Sequence, residues 1–149
     1  MADPRTHIGD LMARKGTENR YALRVELHEM MDRVVGVFRT GQELRHGLSV
    51  VRDIQERSAH APVNDKGALY NSNLFHALEL ENLLALAEIT IVGAIAREES
   101  RGAHARRDFE TRNDEQWLKH TLAWYTGGAP RLDYKPVVID QWKPVERIY

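Results

Sequence analysis

The feature that most constrains this chain is the apolar run Leu83-Leu84-Ala85-Leu86-Ala87-Glu88-Ile89-Thr90-Ile91-Val92-Gly93-Ala94-Ile95-Ala96. A helix that is apolar almost all round must be covered by neighbours. The run falls short of the roughly 18 apolar residues that a membrane span needs. It therefore predicts a central, covered helix, expected over residues 72–99 with Asn71 or Ser72 as its N-cap.

Two earlier segments supply the cover. Leu23, Leu27, Met30, Val34, Val37 and Phe38 recur at steps of three and four, which predicts a helix over 20–38. Leu44, Leu48, Val51 and Ile54 mark a second, over 41–57. Thr40 is placed to cap it, with Glu43 three residues on as the capping-box partner. His60-Ala61-Pro62 ends it, because proline cannot continue the hydrogen-bond ladder. The expected fold is all-α: a three-helix, up-down-up bundle over 20–99, spectrin-repeat-like, with short connections favouring antiparallel neighbours.

The flanks read differently. Residues 1–19 are polar, carry Pro4, Gly9 and Gly16, and are expected to be an irregular lead-in. Residues 100–149 are expected to be a charged connector and a β-hairpin tail. Lys119–Tyr125 and Arg131–Ile139 are rich in β-formers and are joined by Thr126-Gly127-Gly128-Ala129-Pro130. A two-stranded hairpin is marginal alone and must lie on the helices or on a further part of the protein.

Composition narrows the function. The chain has 149 residues, one domain's worth, with 42% hydrophobic residues. Its 21 Lys and Arg against 22 Asp and Glu leave a formal charge of −1, which gives no reason to expect nucleic-acid binding or direct membrane insertion. It has no cysteine, so it cannot itself ligate an iron–sulfur cluster or offer a thiol nucleophile. The start, Met1-Ala2-Asp3-Pro4-Arg5, lacks an apolar signal stretch, and a cytoplasmic setting is the expectation.

Motifs exclude more than they assign. No two glycines have G-x-G spacing, and no glycine precedes a Lys-Ser or Lys-Thr pair, so neither a dinucleotide fingerprint nor a P-loop is present. Ser100 has Glu98 two before it and is no nucleophile elbow. His28-Glu29-Met30-Met31-Asp32 resembles a zinc helix with Asp at its second ligand position, but nothing local supplies the third ligand that zinc needs. His28 and Asp32 read as a solvated pair, and His76 as a packed or capping histidine.

The segment Arg97-Glu98-Glu99-Ser100-Arg101-Gly102-Ala103-His104-Ala105-Arg106-Arg107-Asp108 directly follows the long helix. Cations suit that negative end, and Gly102 suits a left-handed cap. Five basic and four acidic residues between 97 and 112 predict an ion-pair network that holds the tail.

Ala96-Arg97-Glu98-Glu99-Ser100-Arg101-Gly102-Ala103-His104 resembles the signature that closes the C-terminal helical domain of the succinate dehydrogenase/fumarate reductase flavoprotein family. Other stretches resemble the family in order: Val35–Thr40, Leu69–Ser72, Glu79–Asn82, Trp117–Leu122, Leu132-Asp133-Tyr134 and Arg147-Ile148-Tyr149. The resemblance covers residues 17–149. The related L-aspartate oxidases share the Ser-Arg-Gly-Ala-His element, but that branch ends soon after it. The Lys119-His120-Thr121-Leu122 tail favours the succinate/fumarate branch.

The resemblance implies a parent enzyme that interconverts succinate and fumarate with FAD and passes electrons through an iron–sulfur subunit to quinone. It implies a complex peripheral to the inner face of the cell membrane. The family's FAD-binding and capping domains, with their flavin-linking and substrate-binding residues, have no counterpart in these 149 residues. No residue here is therefore assigned to catalysis, cofactor or metal. The chain alone is expected to be inactive and free of FAD, a C-terminal piece with a structural role. Its expected partners are the FAD-binding domain of the same subunit and the iron–sulfur subunit. Arg101, His104, Arg106 and His120 are the candidates for interdomain contact. The alternatives are a stand-alone helical interaction module and, second, the C-terminal domain of a related L-aspartate oxidase.

Overall fold

The computed structural model describes residues 3–145. The closing Arg147-Ile148-Tyr149 lies outside the described residues. Helix α1 spans Pro4–Ala13, α2 Arg20–Val34, α3 Gly41–Ser58 and α4 Ser72–Ala96. A single turn, α5, spans Asp114–Trp117. Strands β1 (Phe38–Arg39) and β2 (Ala105–Arg106) form a parallel pair; β3 (Lys119–Trp124) and β4 (Arg131–Pro136) form an antiparallel hairpin.

The three long helices start where their capping chemistry puts them. Asn19 accepts from Tyr21 and Ala22 at the head of α2, and Asn71 accepts from Leu74 at the head of α4. Thr40 and Glu43 form the reciprocal capping box of α3. The core is Leu23, Leu27, Met30 and Val34 of α2, Leu44, Val51 and Ile54 of α3, and Leu80, Leu84, Ala87 and Ile91 of α4. Each large side chain so buried contributes about 1.5–3 kcal/mol. Helices α2 and α3 approach closely at Gly47, where a Cβ would come within 2.8 Å of Val34 Cγ2 and 3.1 Å of Met30 Sδ.

Four expectations are corrected. Residues 4–13, expected to be irregular, form α1, with Pro4 at the first turn where its missing N–H costs nothing. Leu11 is fully buried against Val63 and Ala77, and His7 and Arg14 both reach Glu81 of α4. Helix α2 stops at Val34 instead of 38, because Phe38 and Arg39 pair with Ala105 and Arg106. Helix α4 stops at Ala96 instead of 99, because Arg97 takes an extended conformation and the Arg106 guanidinium occupies the terminal carbonyls. Nor is α4 covered on every side: Asn82, Ala85, Leu86 and Thr90 form an exposed stripe. The hairpin lies where the β-formers put it, with strands that end at Trp124 and Pro136.

Candidate functional site

The ordered series of arginines and acids begins where α4 ends. An extended backbone sends alternate side chains to the same side, so Arg97 and Arg101 converge on the acid between them. Glu99 is fully buried. Arg97 Nη1 donates to its Oε1 at 2.6 Å and Arg101 Nε to the same oxygen at 2.9 Å. Arg101 Nη2 and the backbone N–H of Asn113 donate to Oε2 at 3.0 and 2.9 Å. Burial alone would raise the Glu99 pKa; the donors from Arg101, Asn113 and Arg97 outweigh it and hold the group below its ordinary value.

The two arginines carry the network outward. Arg101 Nη2 also donates to Asp114 Oδ1 at 2.6 Å, and that bond, with Arg112, holds Asp114 below its ordinary pKa. Arg97 donates to the carbonyls of Trp117 and Lys119 at 3.0 and 2.6 Å, and its guanidinium lies 5.1 Å from the Trp117 ring centroid. Buried Glu99 thus orients the arginine that fastens the hairpin to the end of α4. The Lys119 ammonium stands 4.6 Å from the Trp117 ring and 4.2 Å from that of Tyr134.

Between the arginines the chain reverses. Arg101 and His104 exchange backbone hydrogen bonds at 2.9 and 3.0 Å across a turn in which Gly102 has φ +58°. Gly102 does adopt the left-handed conformation, but inside this turn and not as the cap of α4. His104 Nε2 donates to the Arg97 carbonyl at 2.9 Å. Burial pushes the His104 pKa below its ordinary value, against that hydrogen bond.

Arg106 is only 2% exposed. Its Nη1 donates to the carbonyls of Ala94, Ile95 and Arg97 at 2.9, 3.2 and 3.3 Å. It closes the end of α4 from within, and this removes it from the surface set. Arg101, His104 and His120 do come together. They line one cleft of about 490 Å³ with Arg97, Trp117 and Lys119. The carboxylates beside it, Glu99 and Asp114, are already engaged, so the cleft offers the Lys119 ammonium and the His120 imidazole to an incoming carboxylate or carbonyl, and His104 Nδ1, whose ring spends its N–H on the Arg97 carbonyl, as an acceptor for an incoming donor. It holds no paired nucleophile and base. Among the described residues no group of three or more His, Asp or Glu is placed to hold a metal ion. His28 and Asp32 are exposed on α2, and His76 packs edge-on to Tyr21 at 5.6 Å.

Sequence reasoning passed over Glu99, the acid at the centre. The signal was there: an acid flanked by arginines two residues away on each side, just past a helix end.

The chain matches the family model described as "Fumarate reductase flavoprotein C-term" over residues 24–149. It is similar to the succinate dehydrogenase flavoprotein subunit of Rickettsia conorii, 42% identical over 135 residues, covering 85% of this chain and 23% of that one. It is 34% identical over 140 residues to the fumarate reductase flavoprotein subunit of Haemophilus influenzae, covering 93% of this chain and 23% of that one. In structure it is similar to a quinol fumarate reductase of E. coli, with a TM-score of 0.91 and 32% identity over 95% of this chain and 25% of the other. The chain therefore spans about a quarter of the length of these relatives.

Proposed function

Because the chain belongs to the succinate dehydrogenase/fumarate reductase flavoprotein family, as its C-terminal domain, we propose that it is the structural module of an enzyme that interconverts succinate and fumarate. In this reading the three long helices are an up-down-up, spectrin-repeat-like scaffold. The parent moves two electrons and two protons between succinate and FAD and passes the electrons through an iron–sulfur subunit to quinone.

The residues here do not fit FAD. A flavin dinucleotide needs a glycine-rich turn at an open helix N-terminus for its pyrophosphate. Helices α2, α3 and α4 have their first N–H groups taken by Asn19, Thr40 and Asn71, and the ten glycines carry no G-x-G spacing. The flavin would be held by the FAD-binding domain, and no step of the reaction passes through this chain's residues.

The contact with that domain is assigned to Arg101, His104 and His120, in the cleft beside the hairpin. Arg101 keeps Nη1 and His104 keeps Nδ1 for an outside partner, since their hydrogen bonds within the chain use other atoms. Among the described residues no helix is long and apolar enough to cross a membrane. That is compatible with a cytoplasmic domain in a complex peripheral to the inner face of the cell membrane. The observation that carries the reading is the family match across residues 24–149, hairpin tail included.

The test is Arg101→Ala in the complete flavoprotein subunit. Flavin retention, assembly or thermal midpoint should fall, by about 1–3 kcal/mol for buried partners left unsatisfied. The flavinated enzyme should keep its KM for succinate. A fully flavinated variant with KM raised about a hundredfold would put Arg101 in the substrate site instead. The isolated chain should neither bind FAD by calorimetry nor oxidise succinate.

A further inference from the structure

The cleft beside the hairpin holds an acceptor among cations. His104 Nε2 lies 2.9 Å from the Arg97 carbonyl oxygen. A carbonyl can only accept, so the ring hydrogen sits on Nε2 and Nδ1 keeps its lone pair. That lone pair takes no hydrogen bond from within the chain among the described residues.

The charged groups that face the ring are of one sign. Arg97 stands at the end of α4, Arg39 on β1, Arg106 on β2, and Arg101 across the turn. Lys119 and His120 of β3 line the same cleft, and its lining holds no Asp or Glu. The acids behind it are taken: Glu99 by Arg97 and Arg101, Asp114 by Arg101 and Arg112, Asp108 by Arg106. An imidazolium here finds no free counter-ion. Burial first, then Arg39, Arg106 and Arg97, push the His104 pKa below its ordinary value, against the bond to the Arg97 carbonyl. At neutral pH the ring is uncharged and Nδ1 accepts.

We propose that the flavin-binding domain, docked in this cleft, gives His104 Nδ1 an uncharged hydrogen-bond donor: an amide N–H or a hydroxyl. The proposal rests on the scaffold reading, which assigns the cleft to that domain, and adds the chemistry of the partner group. A carboxylate is refused at this nitrogen, because lone pair would meet lone pair. A lysine or arginine is refused by the guanidinium groups already around the ring. An amide also brings an oxygen for Arg101 Nη1, which no bond within the chain uses. The contact is then labile in acid. A proton on Nδ1 turns the acceptor into a donor that faces a donor, so docking and protonation of His104 oppose each other.

The test compares His104 in this chain with His104 in the complete flavoprotein subunit. The pH dependence of exchange of its imidazole C2 hydrogen, followed by mass spectrometry, reads the protonation of the single ring. His104 should take its proton at lower pH in the subunit than in the chain. His104→Gln keeps a donor for the Arg97 carbonyl but places no acceptor at Nδ1. In the subunit it should speed flavin loss about tenfold at neutral pH, and flavin loss should no longer rise in mild acid. A titration moved to higher pH in the subunit would put an acceptor at His104; that overturns the proposal and leaves the cleft as the interface. No difference between subunit and chain would take His104 out of the contact and overturn it. So would a lowered titration with flavin loss unchanged in His104→Gln, which would mean burial without a donor. Arg101→Ala judges the scaffold reading separately, since that arginine meets the domain whichever group faces His104.

Discussion

Arg106 grips both carboxylate oxygens of Asp108, through Nε and Nη2 at 2.8 Å each, and Asp108 Oδ2 accepts the Gly41 N–H that opens α3, at 2.9 Å. With Arg106 Nη1 on the last carbonyls of α4, one ion pair ties the end of one core helix to the start of another. It satisfies orphan groups at both ends.

Arg106→Met should therefore do more than remove a charge. It leaves the Ala94 and Ile95 carbonyls without a donor and Asp108 without its counter-ion. The expected loss is about 3 kcal/mol or more, the range for breaking one side of a buried pair. Urea denaturation followed by circular dichroism at 222 nm measures it. Arg106→Lys, with no fork, should recover only part of the loss.

Glu99→Gln tests the core of the cleft. The neutral amide brings two hydrogens of its own toward Arg97 and Arg101, which are donors only. The fully buried site cannot relax into water. A loss of about 3–5 kcal/mol is expected. Near-ultraviolet circular dichroism should register loss of the fixed Trp117 environment, because Arg97 holds the Trp117 carbonyl and faces its ring. Unchanged hairpin spectra in a destabilised variant would separate Glu99 from the tail.

Acid should weaken the fold in two steps. The His104 pKa is lowered from 6.5 by burial. As pH falls below about 7 the unfolded imidazole takes a proton that the folded one resists. The unfolded state then binds more protons and stability declines. The second step belongs to Glu99 and Asp108, both held below their ordinary values, Asp108 chiefly by Arg106. Their contribution is complete above the unfolded carboxylate range, about 3.9–4.3, and is lost as pH falls through the folded values. Urea midpoints from pH 8 to pH 3 resolve both steps, and His104→Gln should lose the upper one alone.

Much of this was legible because it is local. The caps Thr40 and Asn71, the stripe Leu23–Leu27–Met30–Val34 and the glycine turn between β3 and β4 are set by residues a few positions apart. What escaped is set by distance along the chain. Val37 and Phe38 continue the helical spacing, yet Phe38 pairs with Ala105 and the helix stops short. Pro4–Ala13 is too short to show a period, and its order comes from Leu11 against Ala77 and from Glu81 receiving His7 and Arg14. In the candidate site the arginines stood out by number. The acid that organises them did not, because its burial is a property of the closed structure.

Gly47→Leu should disturb the bundle although leucine is the better helix former by about 1 kcal/mol. The space beside Gly47 is already filled by Val34 and Met30. Overpacking of this kind costs about 1–3 kcal/mol, so a net loss of thermal midpoint is expected. Gly9→Leu, with nothing within 4 Å of the added carbon, should leave the midpoint unchanged or raised.

The Gly41–Asp108 bond joins residues 67 apart in sequence, and the parallel pair of Phe38 and Ala105 closes a loop of the same length. Bringing such distant points together takes loop entropy before any contact rewards it. The closure should form late, on a bundle whose helices have already met. Asp108→Asn should then leave the refolding rate almost untouched and act by speeding unfolding. The clasp that joins α4 to α3 governs how long the folded chain persists, not how quickly it is reached.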